Sequence, residues 1–327
     1  MINVTGVSES RVAPAAAYYA NQKDQSIIIV STDVRAKRLA SDLSFFVQDK
    51  EIITLPEEEQ FLLRYAAKNQ DHMLTRLRAL KALRTGQPVV VIAPASAAVK
   101  KIAPHSSFEK SSFRLRLGEE VDLDKIKGKL VALGYERREM IDARGQFSVR
   151  GGILDIYTPD GETPYRIEFF GAEVDSIRAF DIDSQRSLET LQSVEIYPAE
   201  EILSEREIFQ SAEQKIGKAY REAAKKAAAT SEELSEKIRA TGEELREYAA
   251  HAANLQLLEN YIHYFYDHTE YLWDYMDDGC VMIDDPERVE ETLQLRTEEL
   301  REDFGVMLER GQVIAEDAAV ITDKTDF

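Results

Sequence analysis

Short apolar runs alternate with amphipathic ones along the chain, in the order of a layered α/β protein. SIIIVST from Ser26 reads as a β-branched strand, helical spacing follows from Asp33 to Phe46, and EIITLP reads as a second strand. Helical spacing resumes from about Glu57 to Thr85 and stops at Gly86, with Pro88 beyond it, before the apolar run PVVVIAP. This repeated strand and helix order predicts a mostly parallel sheet within residues 1–103. From Phe108 to about Pro198 the rhythm shortens. SSFRLRL, a small helix around Leu123 to Leu133 and several strand-like runs are separated by turn residues, among them Arg144-Gly145 and Asp160-Gly161. The expectation for residues 104–198 is a small, mainly antiparallel β domain with a helix.

After Glu201 the pattern is helical. Ser204-x-x-Glu207 and Thr230-x-x-Glu233 each resemble a capping box opening an Ala, Glu and Lys-rich stretch, which predicts two long helices packed as an antiparallel pair. Each shows solvated faces and one apolar stripe, and docking of a partner helix is the alternative use of that stripe. GCVMIDD, Gly279 to Asp285, then reads as a strand able to rejoin the first sheet. The β domain is thereby an insertion between two parts of an α/β domain, with residues 199–327 as its helical and α/β second half. No repeat of fixed period is present.

Composition narrows the function. The chain has 327 residues, 44% of them apolar and 31% charged, and no apolar run reaches the roughly 20 residues that span a bilayer. A net charge of -19 would on average repel phosphates, which disfavours direct binding to nucleic acid. The lone Cys280 excludes an internal disulfide and agrees with a reducing, cytoplasmic setting; inside an apolar strand, it is expected to be buried and inert. Met1 stands just ahead of a motif that ordinarily follows other structure, and the chain ends on the polar ITDKTDF, so an excised fragment is expected.

That motif is VTGVSESRVA, which has the outline of a phosphate-binding loop. A working loop reads G-x-x-x-x-G-K-[ST], its glycines letting backbone N–H groups approach the phosphates and its Lys reaching the outer oxygens. Laid over this chain, Asn3 takes the first Gly, Ser8 the second, Glu9 the Lys and Ser10 the hydroxyl position, with Gly6 between them. The charge is inverted, so ATP binding in the usual manner is not expected and no cofactor is assigned. Asp284-Asp285 follow an apolar run where such folds carry a magnesium carboxylate, but Pro286 behind them marks an ordinary helix start. His263 and His268 stand five apart, a spacing unsuited to two ligands on one helical face, so IHYFYDHTEYLWDYMDD reads as an aromatic packing helix covering the sheet edge or the helical pair.

The stretch Gly134 to Leu188, with RGGILDIY, YRIEFFGAEVDSIR and FDIDSQRS in that order and spacing, resembles the UvrB homology module of the bacterial transcription-repair coupling factor (Mfd) family. UvrB itself has a similar pattern. Three departures favour the coupling factors: the inverted loop, the passage from PVVVIAP to PHSSFEK without a tyrosine-dense hairpin, and the DIDSQRS form of the closing segment. The resemblance implies a degenerate helicase-like, P-loop-type parallel sheet domain bearing an inserted UvrA-binding β domain. It also implies recruitment of UvrA by mimicry of UvrB, without enzymatic activity in these residues. ATP, magnesium and RNA polymerase belong to absent domains by the same resemblance, and a distant C-terminal domain masks the UvrA-binding face in the intact protein. The family's UvrA-binding residues fall on Arg150, Arg166 and Phe170.

Alternation along PYRIEFF agrees, turning Tyr165, Ile167 and Phe169 to one face and Arg166, Glu168 and Phe170 to the other. An aromatic beside an arginine on a solvated face suits an interface. The bland reading tucks Phe170 under the turn at Gly171 and pairs Arg150 and Arg166 with Asp155 or Glu168. Two other functions compete: an ATP-dependent helicase subunit of the UvrB kind, and a structural clamp against the remainder of the intact chain.

Overall fold

A computed structural model describes residues 2–57, 70–202 and 205–321. Its first layer is a four-stranded parallel sheet of β1 (Gln25–Val30), β2 (Glu51–Thr54), β3 (Val89–Pro94) and β12 (Gly279–Ile283), in the order β12-β1-β3-β2. β1 and β3 are central and buried along their whole length, which is why they read as unbroken apolar runs. Ile28 and Val30 point with Val90 and Ile92 toward α1 (Val12–Ala20) and α2 (Asp33–Leu43). Ile27 and Ile29 point the other way, with Val89 and Val91, toward α3 (Gln70–Arg84), the short α4 (Ala95–Ala98) and α11 (Pro286–Glu309). Each such side chain contributes about 1.5–3 kcal/mol by leaving water.

The element ends have local causes. Thr32 caps α2 by accepting from the Arg35 N–H at 3.3 Å. α2 stops at Leu43, short of the expected Phe46, and leaves Phe45 and Phe46 exposed. α3 ends where Gly86 takes φ +70 and the Gln87 N–H returns to the Ala82 carbonyl at 3.1 Å. Its expected first half, residues 58–69, lies outside the described residues, as do Ser204 of one expected capping box and most of the ITDKTDF end. Between β3 and β12 the chain makes a long excursion, and β12 returns in parallel beside β1, Gly279 opposite Gln25. β12 is an edge strand, so Cys280 is half-buried rather than enclosed as expected.

The excursion begins with α5 (His105–Ser111) and β4 (Phe113–Arg116), then α6 (Leu123–Ala132). A six-stranded sheet follows, made of β5 (Glu136–Arg137), β6 (Gln146–Arg150), β7 (Ile153–Tyr157), β8 (Tyr165–Phe170), β9 (Glu173–Phe180) and β10 (Ser187–Thr190) in the order β10-β9-β8-β7-β6-β5. All neighbours are antiparallel except β5 and β6. β11 (Ser193–Ile196) pairs with β4. One face of the sheet carries Phe147, Leu154, Ile156, Ile167, Val174 and Ile177 against Ile126 and Leu130 of α6. The other face carries the polar residues Ser148, Asp155, Arg166 and Arg178.

α7 (Arg206–Ala228) and α8 (Glu232–His251) form the second helical layer. Gly217 lies against Arg246 and Gly242 against Tyr220, so the pair is antiparallel as expected. The cap of α8 differs from the expected Thr230 box. Ser231 is the capping residue, accepting from the Leu234 N–H at 3.2 Å, while Glu233 turns outward to Lys237 at 2.6 Å. The aromatic stretch from Ile262 to Asp278 is not one helix. After α9 (Leu255–Leu258) come a 3-10 turn at Glu259–Tyr261, α10 (Ile262–Phe265) and a second 3-10 turn at Leu272–Tyr275, with Glu270 bridged to Ile102 between them. Breaking the helix lets Tyr264 and Phe265 pack under α7 while Leu272 and Tyr275 pack on the parallel sheet. Buried Asp317 accepts from the Tyr220 hydroxyl at 2.6 Å, the Tyr264 hydroxyl at 2.9 Å and the Ile314 N–H at 2.9 Å.

Two outcomes follow from this packing. A Cβ at Gly242 would stand 2.5 Å from the Tyr220 Cβ, so Gly242→Ala forces two backbones apart, a cost of about 1–3 kcal/mol that exceeds the roughly 1 kcal/mol gain in helix propensity. Gly305 in α11 faces open space at an ordinary helical φ, so Gly305→Ala stabilises by about 0.5–1 kcal/mol; melting temperatures of the two variants should move in opposite directions.

His263 supplies the second outcome. Burial, and behind it Lys101, pushes its imidazole down to about 4. The stability its neutral ring allows is therefore intact above pH 6.5 and lost as pH falls from 6.5 to about 4, a loss of about 3 kcal/mol. The Asp317 carboxylate, 3.8 Å away, opposes this, but among the described residues neither ring nitrogen has a hydrogen-bond partner, so burial prevails. Urea unfolding across that window should show the decline, and His263→Phe should flatten it.

Candidate functional site

Strand alternation builds the open face of the six-stranded sheet. Because Leu154 and Ile156 point inward, Asp155 points outward, and register places Ser148, Asp155, Arg166 and Arg178 side by side on four successive strands. The Asp155 carboxylate accepts from Arg166 Nε at 2.7 Å, Arg166 Nη2 at 2.8 Å and Arg150 Nη2 at 2.8 Å. These two arginines cover it so well that Asp155 is 2% exposed. Arg166 also donates from Nη2 to Gln185 Oε1 at 2.8 Å and lies 4.4 Å over the Phe180 ring. The hydrogen bond to Asp155 holds the Arg166 guanidinium charge more firmly than usual. Arg178 pairs instead with Glu168, which also accepts from Ser176 at 3.0 Å.

Phe170 ends β8. Gly171 takes φ +63 in the tight turn that sets Phe170 opposite Glu173. The ring is 82% exposed, so it does not tuck under the turn. The bland reading is thus half right: the arginines do pair with Asp155, whereas Phe170 stands free. At about 3.4 Å per residue, Phe170 lies roughly 7 Å along the strand from Glu168. The surface offers a projecting aromatic at the strand end and, about 14 Å back along the same strand, the Arg166–Asp155 network.

The N-terminal loop forms a second constellation. Gly6 has φ +74, Ser8 and Ser10 approach each other at 3.3 Å, and Glu9 opens a 3-10 turn at Glu9–Arg11 that precedes α1. The Arg11 N–H is spent on the Ser8 carbonyl at 2.8 Å, and Pro14 in the first turn of α1 has no N–H to offer. Glu9, 79% exposed, lies 3.7 Å from Arg35 Nη1, and Arg35 Nε donates to Asp284 at 2.6 Å. That hydrogen bond, against the cost of burial, raises the Arg35 pKa. The positions expected for a lysine and a magnesium carboxylate therefore meet around an arginine from α2. Asp285 caps α11 by accepting from the Arg288 N–H at 3.4 Å, with Pro286 as the first helical residue.

The remaining candidates stay apart. His263 is half-buried beside Asp317, while His268 is exposed near Glu270. Among the described residues no group of three or more His, Cys, Asp or Glu is arranged to hold a metal ion, and no helix is long and apolar enough to cross a membrane. Of the residues named from the sequence, Arg150 and Arg166 meet on Asp155 and Phe170 stands apart at the strand end; sequence reasoning did not name Phe180 and Gln185, which support Arg166. Both lie in FDIDSQRS, Phe180 to Ser187, where Gln185 adopts φ +58.

Comparison with known proteins places these features. A family profile described as the UvrB interaction domain matches residues 113–202. Over 313 residues, 95% of its length, the chain is 31% identical to the transcription-repair-coupling factor of Bacillus subtilis (strain 168). It is 30% identical over 312 residues to that of Staphylococcus epidermidis (strain RP62A) and 29% identical over 311 residues to that of Staphylococcus aureus (strain MRSA252). The chain spans about a quarter of the length of these relatives, 26% in each case. The resemblance read from the sequence thus holds along nearly the whole chain.

The two halves of the surface differ in what they hold up. Phe170→Ala should leave the melting temperature unchanged, since the ring is already in water. Arg166→Ala exposes a buried carboxylate to the loss of two charge-assisted bonds and should cost about 3 kcal/mol, measured by urea unfolding.

Proposed function

We propose that this chain is the part of a transcription-repair coupling factor that recruits UvrA by presenting the open face of its six-stranded sheet as UvrB would. The observation that carries this reading is Phe170, a large aromatic 82% exposed at the end of a strand whose neighbouring arginines are already ordered on Asp155. Aromatic and arginine side chains on a rigid support are what protein interfaces use as anchors. Residues 104–198 act as the docking domain, and residues 1–103 and 199–327 as a degenerate helicase-like framework around it. The inverted loop, with its spent N–H groups and the Arg35–Asp284 pair, supports a framework without ATP hydrolysis. A net charge of -19 supports a protein partner over DNA. Engagement of RNA polymerase and masking of the docking face fall to the rest of the intact protein, in the cytoplasm.

Retention of purified UvrA on the immobilised chain tests the reading. The wild type should retain it, and Phe170→Ala should weaken binding at least about ten-fold with an unchanged melting temperature. Equal retention by both would reject this surface, and no retention by either would reject the recruitment role. ATP titration should give no saturable binding; micromolar affinity or DNA-stimulated hydrolysis would replace this reading with that of a nucleotide-driven subunit.

A further inference from the structure

Neither the family profile nor the three family positions assign a role to Asp155, yet it organises the docking face. Its carboxylate is 2% exposed and accepts three hydrogen bonds, two from Arg166 and one from Arg150, which come from strands on either side of β7. A second support reaches Arg166 from the loop after β9. Gln185 accepts from Arg166 Nη2 at 2.8 Å while holding φ +58, a conformation that non-glycine residues adopt at some cost. Its own N–H bonds the Asp181 carbonyl at 2.8 Å, and its Nε2 bonds the Ile182 carbonyl at 2.8 Å, so the side chain is itself fixed.

We propose that Asp155 is the positioning residue of the docking face, holding Arg150 and Arg166 as one pre-ordered unit, with Gln185 as its second arm. This rests on the recruitment role proposed above. Arg166 is largely committed to its supports, its side chain 19% exposed, whereas half of the Arg150 side chain is open to solvent. Arg150 and Phe170 are therefore the groups that touch the partner, and Arg166 acts through the geometry it imposes. An arginine already held in one rotamer loses less freedom on docking than a free one, which is how an internal carboxylate strengthens an external contact. Charge alone predicts the opposite sign. Removing Asp155 makes the face more positive by one, so a partner that reads the arginines only as cations binds the neutral variant as well as before or better.

Asp155→Asn keeps the shape and removes the charge. In the wild type, 15N relaxation at the Arg Nε groups should report Arg150 and Arg166 as ordered, and in Asp155→Asn the Arg150 signal should become mobile. UvrA binding by the same variant should weaken about ten-fold through faster dissociation, as loss of an internal charge pair does, and Asp155→Glu should restore part of it. Gln185→Gly relieves the left-handed backbone while removing the second arm. Its melting temperature should hold or rise even as Arg166 loses order and affinity falls about three-fold, a separation that a purely structural role would not give. Equal or tighter UvrA binding by Asp155→Asn, or an Arg150 as mobile in the wild type as in the variant, would overturn the proposal. Failure of the wild type to bind UvrA would count against the recruitment role, and the arginine order, which needs no partner, would still decide the positioning claim.

Discussion

Everything in this molecule is arranged around the parallel pairing of β1, with β3 on one side and β12 on the other. Ile27, Ile28, Ile29 and Val30 are buried on both faces of the sheet, and that burial requires a strand on each flank and helices above and below. β12 comes from far along the chain, so forming the sheet fixes both ends of a long excursion at one place. The excursion is then free to carry a sheet of its own. Connections back to the framework are both apolar and ionic: Phe108 and Tyr197 pack in the core of the parallel sheet, Lys81 meets Asp160 at 2.7 Å, and buried Arg76 meets buried Glu201 at 2.6 Å. Glu201 also pairs with Lys100 at 2.7 Å, so this buried contact is shared among three charged groups. The six-stranded sheet is thus tied to the framework by side chains from both.

The loop at the head of this framework loses its expected chemistry in a way that simple charge inversion only partly describes. A carboxylate 4 Å from a phosphate repels it by about 4 kcal/mol at an intermediate dielectric, but Glu9 is mostly in water, where such effects shrink to about 1 kcal/mol or less. The stronger obstacle lies deeper. Arg35 and Asp284, both largely buried, already neutralise each other where a lysine, a magnesium ion and a phosphate would have to meet. The backbone donors are diminished as well, one turned to Ser8 and one missing at Pro14. These groups are already satisfied by one another, which supports the proposed framework without ATP hydrolysis.

How much of this was legible in the sequence depended on whether a local signal had a nonlocal competitor. β1 and β3 could be read because strands buried on both faces need no knowledge of their partners. The aromatic stretch could not, because helical spacing in IHYFYDHTEYLWDY competes with two tertiary demands: Tyr264 must reach Asp317, and Tyr275 must reach the Ala103 carbonyl at 2.8 Å. A continuous helix cannot meet both. The cap of α8 moved by one residue because Ser231 and Thr230 offer similar hydroxyls and the preceding loop chooses between them. On the docking face, alternation placed Arg166 correctly, but pairing it with Asp155 rather than Glu168 required the register between β7 and β8. That register is set by the 158–164 connection, whose length a single sequence does not convert into a pairing.

The contrast between Phe170 and Arg166 shows how a folded surface separates stability from recognition. An exposed ring contributes almost nothing to the fold, so the sequence is free to spend that position on a partner. Arg166, four residues back along the same strand, receives the opposite treatment, because a long side chain loses rotamer freedom whenever it is ordered. Tying Arg166 to a buried carboxylate, a glutamine and an aromatic ring transfers that entropic cost to folding, where the burial of a whole sheet offsets it. The strain in the Gln185 backbone is consistent with this transfer: a conformation unfavourable by itself persists because three hydrogen bonds fix it.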